Sequence, residues 1–185
     1  MNRLFAVVLL GCAATAWAAD EEAAKKTVAI PGGATLEVAA PEGWSLRVIQ
    51  PDPKLPPTIR LKSAKREANL QVTFFIDKVG SLGTKDKLSD MVEAAAKQQY
   101  LIGSVEKKVT VQFLDSPNAI CAYAEFTDAD LVGKEAKLGQ YKVVATGIIK
   151  FGDTIGVVTL LGNSFDDPAY QAAKGFLKSG LTVRK

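Results

Sequence analysis

Three segments in the second half of the chain, residues 119–126, 141–151 and 154–161, are almost continuously apolar, and they limit the folds open to this sequence more than any other feature. A strand with one wet face alternates polar and apolar residues, whereas an uninterrupted apolar strand must be covered on both faces. Only Gly152-Asp153 separates the last two segments, the length of a tight hairpin turn, so that pair is antiparallel. Ala122, Ala124, Ala145, Gly147 and Gly156 lower the profile of these strands, which leaves room for a helix to approach.

Two helical stripes are available as covers. Leu88, Met91, Val92, Ala95 and Ala96 recur at i, i+3, i+4, i+7 and i+8 between a Thr84 cap and Gly103. Near the end, Asp167 can cap free amides and Pro168 suits the first helical position. Ala169, Ala172, Ala173, Phe176 and Leu177 then form a buried stripe, and Gly180 fits a left-handed C′ site. A short strand, residues 181–184, is expected to rejoin the sheet.

The first half reads as hairpins. Residues 27–30 and 34–39 flank Pro31-Gly32-Gly33, and Pro41-Glu42-Gly43 delivers Trp44 into a strand over 44–49, where it is expected as a core anchor. Pro51, Pro53, Pro56 and Pro57 forbid ladder pairing and make 51–57 an exposed connection. Residues 58–63 and 69–77 pair across Ala64-Lys65-Arg66-Glu67, with Leu70, Val72, Phe74 and Ile76 on one face. A further strand is expected over 105–114, with Val109, Val111 and Phe113 on one side, turning at Ser116-Pro117-Asn118. The expected fold class is α+β: a single large, mostly antiparallel sheet with helices packed on it, an α/β/α sandwich.

The N-terminus carries an address. Arg3 supplies a positive start, residues 4–10 are apolar, and Ala16-Trp17-Ala18 fits a small-x-small cleavage site before the acidic Asp20, Glu21 and Glu22. The expected organisation is a signal peptide over 1–18, a flexible lead-in over 19–26 and one domain over 27–185, working in the periplasm or cell envelope. A competing reading takes Leu9-Leu10-Gly11-Cys12 as a lipobox, which would leave a lipid anchor on Cys12. The roughly 167 residues left after cleavage at Ala19 suffice for one core. No stretch after the signal approaches the ~20 apolar residues of a membrane helix.

Composition removes several chemistries. The chain has 23 Lys and Arg against 20 Asp and Glu, with no dense basic run, so nucleic acid and anionic membrane are poor candidate partners. It has no histidine, which excludes Ser-His-Asp and Cys-His nucleophiles and the common zinc sites. With Cys12 removed, Cys121 is alone and cannot form an internal disulfide; its apolar setting reads as core. Asp128, Asp130 and Gly133 superficially match a calcium loop, but Val132 replaces an oxygen ligand and Gly139 stands where a glutamate is required, so 127–138 reads as a solvated loop. No glycine-rich phosphate cradle opens a helix. Neither a cofactor, nor a metal, nor a catalytic residue is assigned. Lysine- or carboxylate-based catalysis remains open in principle, and Glu125, flanked by apolar strand residues, is the acid to inspect.

The Pro41-Glu42-Gly43-Trp44 turn, two N-terminal hairpins, a middle helix, three long antiparallel strands and a final helix and strand together resemble the PsbP-like superfamily over residues 27–185. That superfamily includes a lumenal photosystem II subunit and a Ran-binding import factor. The resemblance implies an accessory, partner-binding module without shared catalytic residues, and no functional residue carries over position by position. The leading expectation is therefore a non-enzymatic envelope module for an unknown protein partner, with loops 51–57 and 127–138 as its candidate surface. Two alternatives stand beside it: a small-ligand or lipid carrier with a pocket between sheet and helix, and a histidine-free hydrolase.

Overall fold

In the computed structural model, the described residues run from 25 to 184, without Val79, Pro117, Asn118 and Leu138. The expected signal peptide, Cys12 and most of the lead-in lie outside them. The elements in chain order are β1 (Lys25–Ala29), β2 (Thr35–Ala39), β3 (Trp44–Ile49), β4 (Thr58–Ser63), β5 (Ala68–Ile76), α1 (Lys85–Gln99), β6 (Val111–Ser116), β7 (Ala119–Thr127), β8 (Val143–Phe151), β9 (Thr154–Gly162), α2 (Pro168–Ser179) and β10 (Leu181–Arg184). Two single 3₁₀ turns, Leu101–Gly103 and Ala129–Leu131, cap one end of the molecule.

Seven strands form one antiparallel sheet in the order β3-β4-β5-β9-β8-β7-β6. The three apolar segments, β7, β8 and β9, are interior strands; β7 and β8 are covered on both faces, but β9, expected to be covered likewise, leaves Val157 43% exposed on the α1 side because the helix does not reach across it. On one face Leu88, Val92 and Ala96 of α1 meet Ala122, Ala124 and Phe126 of β7 and Val144 and Ile148 of β8. On the other face Tyr170, Ala173, Phe176 and Leu177 of α2 join Leu70, Val72, Cys121, Ile149 and Leu160. Trp44 is buried in this second core as expected.

The single-sheet expectation needs one correction. β10 does not rejoin the large sheet but pairs with β2, and β1-β2-β10 form a separate three-stranded sheet. It stacks Val28, Leu36, Val38 and Leu181 against the α2 side of the core, so that face is covered by a helix and a small sheet together. β1 begins at Lys25, two residues before the expected domain start.

Three local readings also change. Gly180 has φ −84°, not the left-handed value expected of it; its lack of a side chain is needed because a Cβ there would collide with the Phe176 ring. Met91 and Ala95, expected on the apolar stripe of α1, both point outward, because α1 touches the sheet along the narrower line of Leu88, Val92 and Ala96. The strand expected from residue 105 begins only at Val111, and before it a lone bridge joins Ser104 to Asp128.

Candidate functional site

β7 presents Cys121, Tyr123 and Glu125 on the face beneath α2, and room for the two larger side chains comes from their partners on β8, Gly147 and Ala145. The Glu125 carboxylate is fully engaged. Oε1 accepts from the Tyr170 hydroxyl at 2.9 Å and from Lys174 Nζ at 3.0 Å, while Oε2 accepts from Gln112 Nε2 at 3.2 Å. Gln112 Oε1 in turn accepts from the Tyr123 hydroxyl at 3.0 Å, and the Lys174 ammonium lies 4.9 Å from the centre of the Tyr123 ring. Tyr170 and Lys174 are one helical turn apart on α2, so one face of the helix delivers both donors to one acid.

The electrostatics of this centre favour the paired, hydrogen-bonded state of its groups. Burial, then the charge and hydrogen bond of Glu125, push the Tyr170 hydroxyl well above its ordinary value, which keeps it a donor. Burial alone would lower the Lys174 ammonium, but its hydrogen bonds to Tyr123 and Glu125 outweigh that effect and raise it. A general base needs a free lone pair facing substrate, and a nucleophilic amine needs a depressed pKa. Glu125, the acid singled out in the sequence, instead staples α2 to the sheet.

A second buried ion pair joins Lys150 to Asp77. Asp77, at the end of β5, accepts from Ser81 N at 2.9 Å, Leu82 N at 3.0 Å and Lys150 Nζ at 2.9 Å. The hydrogen bond from Lys150, then that from Leu82, holds its carboxyl far below the usual range despite burial. Its own amide donates to Asp153 O at 2.8 Å, so one residue ties the β5–α1 connection to the β8–β9 turn. The signal in the sequence was Lys150, the one cation in the apolar run of β8.

Cys121 is 1% exposed, and burial pushes its thiol up to about 12, as befits a core residue. Asp128 is also buried, but its Oδ1 accepts from Asp130 N at 2.8 Å, which closes the turn on itself. Among the described residues no group of three potential metal ligands comes together.

Three exposed large apolar side chains, including the most exposed among the described residues, lie on or beside the two 3₁₀ turns. Ile102 is 92% exposed, Val132 56% and Val105 47%. The backbone beneath them is pinned. Val105 N donates to Thr127 O at 3.0 Å, the Glu106 carboxylate accepts from both Thr127 N and its hydroxyl at 2.9 Å, and the Ser104 hydroxyl donates to Leu101 O. Loop 127–138 belongs to this end of the sheet. Loop 51–57 does not: the register places Thr127 level with Gly162, Ala68 and the start of β3, so the loop after β3 leaves from the opposite end of the strands and the two cannot form one contiguous surface.

No protein-family model and no curated protein matches this sequence. Among solved structures, the fold is similar to the solution structure of cyanobacterial PsbP from Synechocystis sp. PCC 6803, at 12% identity and a TM-score of 0.48, over 92% of this chain and 98% of that one.

Proposed function

We propose that this chain is an exported accessory module of the cell envelope that holds a protein partner and carries out no reaction of its own. The observation that supports this most directly is Ile102: a large apolar side chain, almost wholly exposed, on a turn whose backbone is pinned by Ser104, Glu106 and Thr127. Apolar groups held out on rigid loops favour association over solvation. The carrier reading lacks equal support, because Tyr170 fills the space between α2 and the sheet so closely that a Cβ on Gly162 would stand 2.6 Å from its ring. The test is a double variant, Ile102→Asp with Val132→Asp, assayed by crosslinking in the envelope. An unchanged thermal melt with loss of the crosslinked partner supports the proposal; unchanged recovery of the partner overturns it.

A further inference from the structure

Arg60, Lys62 and Arg66, which fall within seven residues of the sequence, meet Arg47 at one face of the large sheet. Arg47 on β3 stands directly opposite Arg60 on β4, and Lys62 follows two residues later on the same face. Arg66, in the β4–β5 turn, holds the left-handed φ of +59°, which is strained for a residue with a side chain. α1 packs on this face chiefly over β6, β7 and β8, and at the other side of the sheet Arg47 and Arg66 are exposed while Arg60 and Lys62 are half-buried. Among the described residues, no carboxylate oxygen lies within 4 Å of a nitrogen of Arg60, Lys62 or Arg66.

The arrangement is costly as it stands. Like charges directly opposite one another across strands destabilise a sheet. Burial, then Arg60, Arg66 and Arg47, hold the Lys62 ammonium below its usual value. Arg60 donates from Nη2 to Gln71 at 3.2 Å, but its Nε is buried with no acceptor. Asn69, opposite Lys62 and 8% exposed, has a buried Oδ1 with no partner. Tyr141, whose hydroxyl is pushed above its ordinary value chiefly by burial against the opposing field of Arg66 and Arg60, borders the cluster. The charges of Arg60, Lys62 and Arg66, without a carboxylate partner among the described residues, and the unsatisfied polar atoms beside them mark a place where local stability has been given up for another interaction.

We propose that this face binds a multivalent phosphate-type oxyanion, held by Arg60, Lys62 and Arg66 with Arg47 alongside. One such anion relieves several repulsions at once and accepts from several donors, which a single carboxylate cannot do. The site is separate from the partner-binding end proposed above and does not depend on it.

The test uses the full chain, with tripolyphosphate and inorganic phosphate as soluble probes and phosphatidylglycerol vesicles against phosphatidylcholine vesicles as the lipid arm. Calorimetry is run at fixed ionic strength with chloride as the control, since general screening acts on any charged surface. Saturable binding of tripolyphosphate without vesicle binding identifies a soluble phosphate; preferential binding to phosphatidylglycerol identifies a lipid headgroup. In either case the variant Lys62→Gln with Arg66→Gly is expected to weaken binding at least about tenfold. Arg66→Gly removes a charge while relieving the left-handed backbone, so an unchanged melt separates loss of binding from loss of folding. Binding retained in that variant, or no response to any probe beyond that of chloride, overturns the proposal.

Discussion

Lys174 and Glu125, forty-nine residues apart in the chain, meet at 3.0 Å beneath α2 with both side chains largely removed from solvent. Removing one partner strands the other's charge, whereas removing both leaves an apolar contact. Glu125→Leu is therefore expected to destabilise the fold by about 2 kcal/mol, and Glu125→Leu with Lys174→Met to recover much of that loss. Urea titration of the single and double variants measures the coupling; equal losses that simply add would show that the pair does not act as a unit.

Acid should act first through Asp77. Its folded carboxyl lies below the ordinary value of 3.8, so the stability it contributes is present above that value and is lost as the pH falls through the depressed folded one. Asp77→Asn, which cannot ionise, should flatten the acid limb of the stability profile. Melting temperatures from pH 2 to pH 7 for both proteins provide the comparison, and parallel curves would remove Asp77 from the account.

Two glycines give opposite expectations. At Gly147 a new Cβ would run into the backbone carbonyl of Ala122 and stand 2.7 Å from the Tyr123 Cβ, so Gly147→Ala should cost about 3 kcal/mol. Gly175 lies on α2 with open space around it, so Gly175→Ala should stabilise the helix by up to about 1 kcal/mol. Thermal melts of the two variants should move in opposite directions.

Cys121 reports on core opening. In a Cys12→Ser background the native thiol should react with a thiol reagent far more slowly than the denatured one, because it is buried and its pKa lies near 12. Immediate labelling of the native protein would contradict the observed packing.

What was legible in the sequence was what local pattern controls. Continuous apolar runs located β7, β8 and β9, and Asp167 with Pro168 located α2, since both signals lie within a few residues of what they specify. The small sheet was hidden because β2 meets β10 only after nearly the whole chain has intervened, and no periodicity records so distant a pairing. The basic cluster was legible in part: Arg60, Lys62 and Arg66 lie within seven residues, but only strand register sets Arg47 opposite Arg60. Glu125 stood out because a charge within an apolar strand is conspicuous, but its partners Tyr170 and Lys174 could not be named before α2 was placed.

The pairing of β2 with β10 also sets a time order. Arg184 closes on Glu37 at 2.9 Å, and Ala39 N donates to Gly180 O at 2.9 Å, so the strand made near the beginning waits for residues made at the end. Until they arrive, Leu36 and Val38, both essentially inaccessible in the finished fold, lack part of their cover. A chain in which residues 181–184 have not yet been made thus exposes sticky apolar surface, the feature chaperones and proteases recognise. β10 works as a latch that closes only once those residues are present.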